Sequence, residues 1–203
     1  MSALYVAYDE TNLYIGVRGF VEANNSLVVY VDTDYGTTSL GLADIAAATD
    51  NYGALDNSLS AAITVSDTSF KADWAVGTKG MASASGTLAD EAGWRNVGLN
   101  PTDFGWFEGQ LVSGSAGFEA SIPFATLYGG AYPEGTQIAL FARLVNEDGQ
   151  YFANQTLPAD NAAAPASVSA VTVITLPGGG TPVCNHDGSC NGDETTANCP
   201  DDC

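Results

Sequence analysis

Two short stretches of this sequence concentrate the side chains that could do chemistry. The first is Asp32-Thr33-Asp34-Tyr35-Gly36, a D-x-D-x-G string with the carboxylate spacing of a calcium loop. Asp44, Asp50 and Asp56 follow in a polar segment and are candidates to complete such a site. A full twelve-residue loop with a closing glutamate is missing, and a solvated acidic strand end competes with the calcium reading. The second stretch is the end of the chain, CNHDGSCNGDETTANCPDDC, which holds all four cysteines, the only histidine and five carboxylates.

Cys184, Cys190, Cys199 and Cys203 are spaced C-x5-C-x8-C-x3-C. That spacing lacks the two short Cys pairs from which a structural zinc site is built. An even cysteine count in an acidic, secreted-type chain reads instead as two disulfides stapling a segment too short to form a core. Three pairings are possible, and the interlocked one, Cys184 with Cys199 and Cys190 with Cys203, is favoured. It would close the loop that offers Asn185, Asp187, Asp193 and Glu194 as calcium ligands around Gly188. His186 is expected to face solvent as a spectator.

Three tryptophans are candidates for stacking against a sugar ring: Trp94, Trp106 and Trp74. Trp94, between Gly93 and Arg95 in a loop-like stretch, is the leading surface candidate, followed by Trp106 in DFGWFEG. At least one of the three is expected in the core, where large aromatics usually sit.

Nucleophilic catalysis is excluded by residue type, because a Ser-His-Asp or Cys-His arrangement needs an imidazole and the chain has none before His186. Histidine-based zinc catalysis fails for the same reason. Carboxylates for glycoside hydrolysis are present, but no acidic pair stands out. No enzymatic activity is expected.

These residues must be positioned by a chain of 203 residues carrying 24 Asp and Glu against 5 Lys and Arg, a net charge of −19. The cations (Arg18, Lys71, Lys79, Arg95, Arg143) are scattered. Nothing here could neutralise phosphates, so nucleic acid and anionic membranes are excluded as partners. Abundant Gly, Ala, Ser and Thr with scarce Lys and Met indicate an all-β extracellular domain. No apolar run approaches the roughly 18 residues of a membrane span. Met1-Ser2 lead directly into the first strand without a signal peptide, so the chain is expected to be a mature form or part of something longer.

LYVAYDETNLYIGVRGF alternates as strand, turn and strand, a hairpin. SLVVYVDTD is more continuously apolar, which predicts a central strand buried on both faces. LSAAITV, KADWAVGTK and MASASG predict further strands, the last one weak, and GWRNVGLNPTDFGWFEGQLVSG predicts loop and strand. GFEASIPFATL predicts a strand that stops at Pro123 and becomes a short helical turn. TQIALFARLV and QYFANQTLP form a second hairpin around Asp148-Gly149, and ASVSAVTVITL closes the domain. Nine or ten short strands with turn signals between them predict an antiparallel β-sandwich, jelly-roll-like, over 1–176. PGGGTP supplies a linker at 177–183, and 184–203 is a small disulfide-stapled appendage.

LYVAYDETNLYIGVRG followed by SLVVYVDTD resembles the opening of family 9 carbohydrate-binding modules and related DOMON-like β-sandwiches. GFEASIPFATL is similar to the late strand of that group, and the likeness spans roughly residues 3–176. The tail resembles the short Cys-rich repeat at the C-termini of secreted myxobacterial proteins. The resemblance implies a secreted, extracellular, non-catalytic module that binds glycan or tethers a partner domain to polysaccharide. Haem, which DOMON-like relatives hold through Met and His, is not expected, because the histidine lies outside the domain. Two alternatives remain. One is a calcium-stabilised structural subunit of an extracellular filament or tube, a homo-oligomer assembled by strand pairing through ALYVAY. The other is the C-terminal accessory module of a secreted glycoside hydrolase.

Overall fold

The computed structural model describes residues 1–19, 25–37, 44–45, 55, 58–59, 63–79, 91–96, 104–106, 117–130, 132–146, 152–158 and 167–176. The MASASG stretch, the Asp148-Gly149 turn, the linker 177–183 and the whole cysteine segment 184–203 lie outside the described residues. So do Asp50, Asp56 and the tail's candidate ligands Asn185, Asp187, Asp193 and Glu194.

The described fold is all-β. Its strands are β1 Ala3–Tyr8, β2 Asn12–Arg18, β3 Asn25–Asp32, β4 Asp44–Ile45, β5 Ile63–Val65, β6 Trp74–Lys79, β7 Glu91–Asn96, β8 Phe104–Trp106, β9 Gly117–Pro123, β10 Gln137–Asn146, β11 Phe152–Leu157, β12 Ser167–Val168 and β13 Thr172–Thr175. One short helix, α1 Phe124–Tyr128, follows β9. Among the described residues, no helix is long and apolar enough to cross a membrane.

The expected hairpins form. β1 and β2 pair antiparallel over their full length, joined by a turn that Asp9 organises. Its Oδ1 accepts the backbone N–H of Thr11 and of Asn12, both at 2.7 Å, the local carboxylate bonding that suits Asp to turns. β10 and β11 form the second hairpin, with an irregular register between Arg143 and Val145. The helix begins directly after Pro123 and stops at Gly129, whose φ of 71° is the left-handed conformation that glycine adopts without Cβ strain.

Among the described residues, three sheets result. One is β1-β2-β9; the largest runs β11-β10-β3-β6-β7-β8, with β13 also on β10; the third is β12-β5-β4. Pairing is antiparallel except between β12 and β5. The closing strand expected over ASVSAVTVITL is thus two strands. β12 joins β5 and β13 joins β10, so the residues between them carry the chain from one sheet to another.

The β1-β2-β9 sheet packs on one face of the large sheet. Leu13, Ile15, Val17, Ala120 and Ile122 meet Leu27, Val29, Val31, Val76, Ile138 and Leu140 in one buried cluster. The alternate residues, Val28, Tyr30, Ala139 and Phe141, form a second core with Leu55, Leu59, Ile63, Phe70 and Val168. β3 is therefore buried from Ser26 to Asp32 and β10 from Ile138 to Val145, which is why both read as nearly continuous apolar runs. Within that second layer Arg143 is fully buried. Its Nη2 donates to the Ser167 carbonyl at 3.0 Å, and its guanidinium lies over the Phe152 ring, 5.3 Å from the centroid.

Candidate functional site

Strand alternation sorts β1, β2 and β9 into two faces. Leu4 and Val6 turn inward with Leu13, Ile15, Val17, Ala120 and Ile122. The other parity pairs Tyr5 with Gly16, Ala7 with Tyr14, Tyr14 with Ser121 and Gly16 with Glu119. These residues line an open groove of about 700 Å3 together with Asn12. Tyr5 is 58% exposed and Tyr14 39% exposed. At Gly16 a Cβ would stand 3.5 Å from the Tyr5 Cβ and 3.7 Å from the Glu119 Cγ, ordinary van der Waals contact, so the two side chains flank this glycine closely. The groove therefore offers two aromatic surfaces and carboxylate, amide and hydroxyl groups along one floor. That combination packs an amphipathic ligand against the rings and hydrogen-bonds its polar edge.

The Tyr14 ring is held in place. Its hydroxyl donates to Asp9 Oδ2 at 2.6 Å, joining the two backbone bonds on Oδ1. The Tyr14 hydroxyl and those N–H groups hold the Asp9 carboxyl well below the usual carboxylate range, and the carboxylate in turn raises the Tyr14 phenol. A depressed carboxylate favours the folded turn at neutral pH and loses that contribution as pH falls below the ordinary value. In Tyr14→Phe the Asp9 carboxyl is expected to titrate measurably closer to that value. Carboxyl chemical shifts followed by NMR across the acid range check this; an unmoved titration would mean that the phenol does not restrain Asp9.

A second constellation lies where β3 ends and β6 begins. Asp32, Asp34 and Asp73 each offer a carboxylate oxygen, and these atoms lie within 4.8 Å of one another. Asp32 Oδ1 accepts the Asp34 N–H at 3.0 Å, and its Oδ2 accepts the Lys71 N–H at 2.7 Å. Asp73 Oδ2 accepts both the N–H and the hydroxyl of Thr33, at 2.8 and 2.7 Å. Burial pushes the Asp32 carboxyl up to about 7, against its two backbone bonds and with help from the neighbouring carboxylates. Burial likewise raises Asp73. Asp34 and Asp73 border a cavity of about 900 Å3 shared with Trp74, Tyr35, Tyr128 and Gln137. The Tyr128 hydroxyl donates to the Thr33 carbonyl at 2.7 Å, tying α1 to this corner.

The structure thus brings together Asp32, Asp34 and Trp74 of the residues singled out by sequence. Trp74 is only 5% exposed, packs in the core between the sheets and also borders the cavity. Trp94 is in strand β7, not in a loop. It pairs with Val76 and Gly105, while Trp106 in β8 pairs with Gly93. Asp44 lies in β4, paired with Thr64 in β5.

Sequence reasoning did not single out Tyr5, Tyr14 or Asp73. The tyrosines carry a readable signal, since Tyr5-x-Ala7 and Tyr14-x-Gly16 share the parity opposite to the apolar residues. Asp73 carries none, because it reaches the Asp32 loop from about 40 residues away in sequence. Comparison with protein-family models, with curated proteins and with solved structures finds no match to this chain.

Proposed function

We propose that this chain is a secreted, non-catalytic module with a jelly-roll-like sandwich fold that binds neutral glycan through the groove on β1, β2 and β9. The carrying observation is the pair of solvent-exposed rings, Tyr5 and Tyr14, beside Asn12, Glu119 and Ser121 on one sheet face. A pyranose ring has apolar C–H faces that match aromatic rings and a hydroxyl rim that matches amide and carboxylate groups. The net charge of −19 disfavours polyanionic saccharides, which narrows the ligand to neutral polysaccharide. The sequence resemblance to carbohydrate-binding modules supports the same reading. In a longer secreted hydrolase, such a groove would hold the catalytic domain on its substrate.

Affinity electrophoresis through gels containing neutral plant or microbial polysaccharides tests it. Retardation by at least one of them is expected. Tyr5→Ala or Tyr14→Ala should weaken binding about tenfold each, equivalent to about 1.4 kcal/mol, with the thermal midpoint little changed by the Tyr5 variant. No retardation by any polysaccharide, or full retardation of the double variant, would overturn the proposal.

Assembly by strand pairing is a second reading, favoured by the position of β1 at the edge of its sheet. Because β1 also contributes Leu4 and Val6 to the core, its deletion would damage the fold and cannot report on assembly. Sedimentation velocity of the intact chain does report on it, and a single-chain mass at every concentration would discount this reading.

A further inference from the structure

We infer that Asp32, Asp34 and Asp73 form a site for one divalent cation, calcium by its chemistry, seated between the end of β3 and the start of β6. Three observations carry this, beginning with distance. Two oxygens bound to one calcium ion at about 2.4 Å stand at most about 4.8 Å apart, and the three ligand atoms here lie within 4.8 Å of one another. Magnesium demands a strict octahedron and keeps most of its waters, whereas calcium tolerates the irregular geometry of carboxylates already committed to backbone N–H groups.

The second observation is a buried oxygen left bare. Asp73 is only 5% exposed, and its Oδ2 is fully used by Thr33, yet its Oδ1 has no hydrogen-bond partner among the described residues. An unpartnered carboxylate oxygen in that position is costly, and nature normally pairs such a group or gives it a metal. Asp73 also borders the cavity at this corner, as Asp34 does, so an ion has a way in.

The third is the state of the remaining ligands. Asp32 spends each oxygen on one backbone N–H, and Asp34 Oδ2 accepts the Thr37 hydroxyl at 2.6 Å. These bonds fix the carboxylates in orientation and leave lone pairs on the same atoms for a cation. The ligands are all oxygen, with no thiolate or imidazole among them, which suits a hard ion and disfavours zinc or copper.

The site is independent of the glycan groove, so either proposal can fail alone. The test uses the full chain, stripped with chelator, then titrated with calcium chloride by calorimetry and with terbium chloride by luminescence. Trp74 and Tyr128 border the same cavity and should sensitise terbium bound there. Calcium should displace the terbium signal at least tenfold more effectively than magnesium, and calcium should raise the thermal midpoint. Asp73→Asn, which keeps an oxygen for Thr33, should weaken calcium binding at least tenfold and abolish most of the sensitised emission. Asp34→Asn, at a half-buried position, should do the same and carries the test if Asp73→Asn fails to fold. The double variant Asp187→Asn, Asp193→Asn separates any ion held by the tail and should keep the sensitised signal. Loss of that signal in the tail variant, its full retention in Asp34→Asn, or displacement by magnesium as effective as by calcium would overturn the assignment.

Discussion

Replacing Gly77 by alanine is expected to destabilise the protein by about 3 kcal/mol or more, the upper range for forcing an added methyl into a packed interior. A Cβ at this position would stand 2.0 Å from the Leu27 carbonyl oxygen, 3.0 Å from its carbon and 3.1 Å from the Val28 Cα. All three atoms are backbone, so no side chain can swing away to make room. Gly77 pairs with Val28 in β3 on one side and with Gly93 in β7 on the other. β3 is buried along its length and also pairs with β10, so it cannot retreat from the methyl without breaking one ladder or the other. Gly130→Ala is the matched control, because a Cβ there meets nothing within 4 Å; its cost should stay within about 0.5 kcal/mol. Urea unfolding of the two variants gives the comparison. Equal midpoints would show that the β3–β6 contact is looser than described.

The parts of this fold legible in sequence are those where local pattern and tertiary position agree. Tyr5 and Val6, or Tyr14 and Ile15, alternate so cleanly that both the strands and their faces can be read. The uninterrupted apolar run Leu27–Val31 signals burial on both sides, and both cores use it. Pro123 and Gly129 bound α1 for reasons internal to their backbones. What could not be read depends on partners distant in sequence. EAGWRN has a glycine beside Trp94 and polar residues after it, a weak strand pattern, yet it pairs with β6 along six positions. The break between Val168 and Thr172 exists because β5 and β10 each claim one half of an apolar segment. Arg143 stands in an apolar run that announces burial, but its pairing with the Ser167 carbonyl and the Phe152 ring is tertiary. The candidate cation site divides the same way. Asp32-x-Asp34 is visible as a string, whereas Asp73 joins these carboxylates only because β6 lies against β3.

The second core makes a prediction that a plain two-sheet sandwich would not. In such a sandwich the outer face of β10 is solvated, and truncating a residue there costs little. Here Phe141 lies on the face opposite the β1-β2-β9 sheet and is fully buried. Its ring stacks on Tyr30 at 4.9 Å and tilts against Phe70 at 5.4 Å. Phe141→Ala should therefore cost about 3–5 kcal/mol, from lost burial, the cavity left behind and the ring contacts. Tyr30→Phe separates packing from polarity at the same spot. The Tyr30 hydroxyl is buried without a hydrogen-bond partner among the described residues, and burial pushes its ionisation well above the ordinary phenol range. Removing that oxygen keeps the stacked ring and relieves a desolvated group, so the variant should be neutral or more stable by up to about 1 kcal/mol. Chemical denaturation of both variants, with far-UV circular dichroism as the probe, measures the difference. A cost below about 1 kcal/mol for Phe141→Ala would mean that the second core contributes little. A Tyr30→Phe loss of similar size to the Phe141→Ala loss would instead show that the phenol is satisfied in solution, and that polar pairing as well as ring packing holds the outer layer against the sheet.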